Sequence, residues 1–291
     1  MRTFAIVTDS GCDMPQSYFK EHDVVCVKLG FTMQNVNYEG ESGEAIGINE
    51  FYARLRAGAM PTTYQVTAEM AVRAIEPLLK RGQDVLIITF SSALSGTADS
   101  FALAARKLQE RYTNRAVIVV DSLCASMGQG LLLDCIVKRA DSGESVQEVA
   151  DFAERIKGKI CHHFTVDSLF HLKRGGRVST GTAIVGSILN IKPILHVDKK
   201  GRLVAVGKVL GRKKSLHALV ERTVAAMAEG ESEPVIFISH ADCVEATEYV
   251  QDLLLEHFPR AKIRVGYIGA VIGAHAGCGT LAVFHVGKER V

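Results

Sequence analysis

Residues 85–104 read VLIITFSSALSGTADSFALA: an apolar run stops at Ser91 and Ser92, and Ser95, Gly96 and Thr97 lead into a helical pattern. Small hydroxyls between a strand end and a helix start suit an anion, because free backbone N–H groups and the helix dipole favour negative charge there. Gly96 also lets the backbone approach a ligand closely. Capping of the helix by Ser95 or Thr97 accounts equally well for this one turn. A second turn, Pro61-Thr62-Thr63-Tyr64-Gln65-Val66-Thr67, precedes another helical pattern; Thr67 serves as its cap, which leaves Thr62 and Thr63 over. The two turns together could hold a carboxylate or a phosphate.

The stretch Gly273-Ala-His275-Ala-Gly277-Cys278-Gly279-Thr280 sets a histidine among residues that allow close backbone approach, so His275 reads either as structural or as a ligand contact. Lys173-Arg174-Gly175-Gly176-Arg177 reads as a solvated basic turn. No phosphate-binding G-x-x-x-x-G-K-[ST], no early G-x-G-x-x-G after a strand and no G-x-S-x-G elbow occurs. His162 and His163 are adjacent on a strand-like run and point to opposite faces, so they do not chelate together. The seven cysteines are scattered and never form C-x-x-C, which fits neither a disulfide framework nor a zinc site. No metal and no cofactor is expected. A binding protein and an enzyme acting on a small carboxylate or phosphoester remain in play; the lack of an acid–base pair at recognisable spacing favours the first.

The elements that must position these turns follow from periodicity. Phe4–Thr8, Val24–Phe31, Val85–Phe90 and Val117–Val120 are continuous apolar runs, the pattern of strands covered on both faces. Helical patterns lie at about Thr67–Arg81 and Thr97–Arg111, and a third opens with the capping box Ser145-Val-Gln-Glu148. Three of the strand ends carry small polar residues: Asp9 and Ser10, Ser91 and Ser92, Asp121 and Ser122. Ligands of open α/β sheets sit beyond such carboxyl ends. After about Lys159 the texture changes. Strands are expected near Ile194–Val197, Leu203–Val209, Val235–Ser239 and Ile263–Ile268, with helices near Lys214–Ala228 and Cys243–His257, the latter capped by Asp242 with Glu245. The expected architecture is α/β in two domains: residues 1–158 built on a mainly parallel sheet, and residues 159–291 of α+β type.

Composition bounds the function. The 291 residues are 47% apolar and 23% charged with a net charge of +2, which supports no nucleic-acid partner. Val265–Gly287 lacks charge but holds six glycines and two histidines, a poor membrane span and a better buried strand-and-loop segment. A signal-peptide pattern is absent, and the cysteine usage suits a cytoplasmic location.

Taken in order, Thr8-Asp9-Ser10, PTTYQ (61–65), SSALSGT (91–97), DS (121–122), FTVDSLFHLKRGGRVS (164–179), ILNIKPIL (188–195), GKVLGRKK (207–214) and GAHAGCGT (273–280) resemble the DegV family of bacterial fatty-acid-binding proteins across essentially the whole chain. The resemblance implies a long-chain fatty acid between two domains, its acyl chain in an apolar tunnel and its carboxylate on the polar turns. It further implies presentation of the acid to an ATP-dependent fatty acid kinase that makes acyl phosphate for phospholipid synthesis. Carried over by motif, Thr63 and Ser92 bind the carboxylate with His275 in the network, and Thr62, Ser95 and Gly96 stand behind them. Arg174, Arg177, Lys208 and Arg212 are the candidates for docking the kinase.

Departures from the family pattern fall at these same places. Tyr64 and Val66 interrupt the usual T-S-Q-P-S, Ala98 stands where tyrosine is usual, and Cys278 replaces a proline. Leu210 occupies the arginine position of the usual K-V-R-G, with Arg212 two residues on.

Overall fold

In the computed structural model, which describes residues 2–40, 43–178 and 190–290, the apolar runs become sheet strands whose polar ends gather on one side. The first half runs β1 (Phe4–Asp9), α1 (Gln16–Glu21), β2 (Val24–Val27), β3 (Gly30–Met33), β4 (Val36–Glu39), α2 (Ile48–Arg56), β5 (Thr62–Tyr64) and α3 (Ala68–Lys80). It continues through β6 (Asp84–Thr89), α4 (Thr97–Arg111), β7 (Val117–Asp121), α5 (Met127–Asp141) and α6 (Val146–Ile156). The second half adds β8 (Ile160–Thr165), α7 (Phe170–Arg174), β9 (Ile191–Val197), β10 (Leu203–Leu210) and α8 (Arg212–Ala226). It closes with β11 (Val235–His240), α9 (Val244–His257), β12 (Lys262–Tyr267), α10 (Ala270–Ala276) and β13 (Leu281–Val286). Ser179, Ile188 and Leu189 of the quoted motifs lie outside the described residues.

Strands β2-β1-β6-β7 form a parallel sheet of four, and β10-β9-β8-β13-β11-β12 a mixed sheet of six in which β11 and β12 alone are parallel neighbours. The α/β class read from the sequence is therefore the class of the fold. The run Val24–Phe31 does not make one strand. It breaks after Val27, and Gly30–Met33 joins β4 and β5 in a separate antiparallel sheet of three. Gly30 permits this: a Cβ there would lie 2.1 Å from the Tyr64 ring packed across it.

Helix α3 is capped by Thr67, whose hydroxyl accepts from Met70 N, and α6 carries the complete Ser145–Glu148 box. The cap expected from Asp242 is not formed. Cys243 precedes α9 without a side-chain capping bond, Asp242 adopts φ of 55°, and its carboxylate pairs with Arg56 instead. The segment expected as strand and loop after Val265 contains α10 as well.

Helix α5 escapes the periodic reading because it is buried almost all round, so its apolar residues show no single stripe. It belongs to the first half by connectivity yet packs on β8, β11 and β13, where Leu131, Leu132 and Ile136 join one core with Phe164, Phe237 and Phe284. No helix among the described residues is long and apolar enough to cross a membrane.

Candidate functional site

Between the sheets lies a cavity of about 370 Å³, within the size range of small-molecule sites. Its walls are largely apolar: Phe164 of β8, Val197 of β9, Leu203 of β10, Phe284 of β13, and Val271 and Ile272 of α10. Thr63, Gln65, Ser95, Arg177 and His275 also line it.

Three segments remote in sequence meet at this polar group. Strand β5 lies at the edge of the three-stranded sheet and turns Thr63 toward α10, where its hydroxyl is 2.8 Å from His275 Nε2. Gln65 Nε2 donates to Gly96 O at 3.2 Å and Ser100 Oγ at 3.1 Å, which ties the two hydroxyl-rich turns together. Ser95 Oγ lies 2.9 Å from Thr97 Oγ1 and accepts from Thr97 N, fixing the turn before α4. Arg177 Nε donates to Leu94 O at 3.1 Å. Gly175 makes room for the imidazole, since a Cβ there would lie 2.0 Å from His275 Nδ1.

Electrostatics at this end favour an anion. Burial, then the charges of Arg177 and Arg174, push the His275 pKa down to about 4, so the ring is neutral at pH 7. A neutral imidazole donating through Nε2 leaves the Thr63 hydroxyl hydrogen free to point at a ligand. Arg177, half-buried, has its pKa lowered by desolvation, and a carboxylate beside it would restore the lost solvation. Deeper in, His162 is neutral too. Burial lowers its pKa, Nδ1 faces Ile160 O at 2.9 Å, and Nε2 accepts from Ala125 N at 3.2 Å.

The residues singled out in the sequence separate into groups. Thr63, Ser95 and His275 lie on the cavity wall. Thr62 and Ser92 are exposed and off it, Ser92 donating its backbone N–H to Asp121 Oδ1. The turn after β6 carries Ser92 outward, and Ser95, three residues on, faces in. Gly96 contributes its carbonyl to Gln65. The polar strand ends are mostly structural. Buried Asp9, its pKa raised by burial to about 6, accepts from Gly11 N and Phe90 N, and Asp121 accepts from Ser92 N and Leu123 N.

The expected docking residues separate in the same way. Arg174 donates to Pro61 O and Ala274 O, clamping the second turn to α10, and Arg177 faces the cavity. Arg212 approaches Asp167, beside Gly279, and Cys243 Sγ. Lys208 is exposed on the edge strand β10, near Leu210, which is 59% exposed. Sequence reasoning missed Gln65 as a wall residue and gave Arg177 to the surface; only the position of Gln65 within PTTYQ hinted at its part.

Comparison with known proteins gives a consistent picture. Residues 3–288 match the family described as "Uncharacterised protein, DegV family". A DegV domain-containing protein of Clostridium perfringens is 42% identical over 290 residues, spanning 100% of this chain and 99% of the relative. The solved structure of a DegV family protein from Thermus thermophilus, described by its fatty acid binding, superposes with a TM-score of 0.88 at 31% identity, covering 99% of this chain and 100% of that one. DegV of Bacillus subtilis, described as a fatty acid binding protein, superposes with a TM-score of 0.82 at 29% identity over 99% and 100% of the two chains.

Proposed function

The chain belongs to the DegV family, and from that premise we propose that it binds a long-chain fatty acid, acyl chain in the apolar cavity and carboxylate at Thr63, Ser95, Arg177 and His275. The observation that carries the proposal is the Thr63–His275 pair set beside Gln65, Ser95 and Arg177 in a largely apolar cavity. Each buried methylene contributes roughly 0.8 kcal/mol, so a long acyl chain supplies on the order of 10 kcal/mol before ordering costs. The polar residues need not add affinity. They keep a desolvated carboxylate from losing its partners, which otherwise costs several kcal/mol (an order-of-magnitude figure).

Binding rather than catalysis fits this geometry. Thr63 beside His275 resembles a nucleophile with its base, but such a base needs a third group to orient it. Among the described residues His275 Nδ1 has no hydrogen-bond partner, and none of those lining the cavity is a carboxylate or a cysteine. Handover of the acid to an ATP-dependent fatty acid kinase is the further step of this proposal, with exposed Lys208 and Leu210 as the surface offered. The seven free thiols support a cytoplasmic location.

Native mass spectrometry of the purified protein, followed by titration of delipidated protein with a labelled fatty acid, tests the proposal. A co-purifying acid and saturable one-to-one binding are expected. An empty protein that also fails to bind in titration overturns it.

A further inference from the structure

Alternation along β8 sends His162 and Phe164 into the cavity and turns Cys161 and His163 to the other face, beneath α8. Strand β13 pairs with β8 so that His285 stands opposite Cys161. The three side chains are buried, at 4%, 8% and 0% exposure. Their potential ligand atoms all lie within 4.8 Å of one another. The two imidazoles point Nε2 to Nε2 at 3.4 Å, and His163 Nδ1 has no hydrogen-bond partner among the described residues.

That spacing is informative. A tetrahedral d10 ion with metal–nitrogen bonds of about 2.0–2.1 Å holds its nitrogens about 3.3–3.4 Å apart, and nitrogen and sulfur about 3.6 Å apart. The imidazoles therefore already stand at bonding separation, and the Cys161 sulfur needs to close by at most about 1.2 Å. We propose that Cys161, His163 and His285 form a buried site for a thiophilic d10 cation, Cu⁺ or Zn²⁺. His196 stands opposite His163 on β9 and therefore on the same face of the sheet. His285 Nδ1 faces Val286 O at 3.2 Å, the kind of carbonyl contact that orients a ligating imidazole.

The surroundings shape the choice of ion. Ligation by Cys161 is through its thiolate, so the thiol proton leaves on binding. Arg222 and Arg290 both act on this cluster, and their positive charge opposes a dication more than a monocation. Cu⁺ with a thiolate is neutral overall, and thiolate ligands select it. Sequence spacing conceals the cluster, because the register between β8 and β13 assembles it.

The test uses full-length, metal-stripped protein titrated anaerobically with Cu⁺, and separately with Zn²⁺, against a chromophoric chelator. Wild type and the exposed-residue control His257→Gln are expected to hold one equivalent. Cys161→Ser and His285→Gln are expected to bind at least tenfold more weakly. Co²⁺ loading of wild type reads thiolate ligation directly through its sulfur-to-metal charge-transfer band, which decides the matter should the variants fail to fold. Absence of stoichiometric binding of either ion, Co²⁺ bound without that band, or equal affinity in all four proteins overturns the proposal.

Discussion

Thr63 Oγ1 and His275 Nε2 lie 2.8 Å apart although 212 residues separate them, and strand β5 and helix α10 exist at this point to bring them together. The pair links the two halves of the chain directly at the cavity.

Replacing Thr63 by valine keeps the shape and removes the hydroxyl. A fatty acid then loses one donor to a buried charge, a loss of about 1–3 kcal/mol. Titration with a labelled acid is expected to show binding weakened roughly five- to 150-fold, with a lowered unfolding midpoint from the lost contact to His275 Nε2. Unaltered affinity would remove Thr63 from the headgroup site.

Ser95 and Ser92 make a matched comparison within one turn. Ser95 lines the cavity and Ser92 is exposed, so Ser95→Ala is expected to weaken binding and Ser92→Ala to leave it within a factor of two or so. Ser95→Ala also removes the acceptor of Thr97 N, so circular dichroism melts must accompany the titrations. The reverse ranking of the two variants would restore Ser92 to the site.

His275 has a pH signature. Its folded pKa of about 4 lies below its ordinary value of 6.5, so between these limits the unfolded chain binds a proton that the folded chain does not. Its contribution to stability is complete above about pH 6.5 and is lost as pH falls toward 4. His275→Gln is therefore expected to show a shallower loss of stability between these limits than wild type. Urea midpoints for both proteins at several pH values check this; parallel curves would refute it. Asp9 and Asp13, with pKa values raised to about 6 and about 8, oppose the trend in both proteins and cancel from the comparison.

The proposed handover to a kinase is tested at Leu210 and Arg212. Basic residues at a rim set association rate and salt dependence, and Leu210 is exposed where an arginine would act. Leu210→Arg is expected to raise acyl phosphate production with the kinase of the same organism, most strongly at low salt. Arg212→Ala is expected to act mainly through lost contacts to Asp167 and Cys243, with a lowered melting temperature. Full activity unchanged in both variants would place docking elsewhere.

What was legible in the sequence followed the local rules. Continuous apolar runs gave the central strands, and Thr67 and Ser145 marked helix starts, because caps and covered strands leave their cause in neighbouring residues. The inward turn of Ser95 was not legible, since one turn of backbone decides which of two serines faces in. Nor was the inward position of Arg177, whose carbonyl partner Leu94 is distant in sequence. Helix α5 lacked a polar stripe to reveal its period. The pairing of Cys161 with His285 depends on strand register, which no spacing rule in one segment can express.

Helix α5 also bears on how the chain can be divided. It is encoded before residue 158, yet Leu131, Leu132 and Ile136 pack against strands that come after it. Cut at that point, the amino-terminal fragment would carry an uncovered greasy helix and the carboxy-terminal fragment an uncovered sheet face. The two halves are thus not interchangeable modules that recombination could shuffle. Each half leaves apolar surface uncovered without the other, so thermal unfolding is expected to show a single transition.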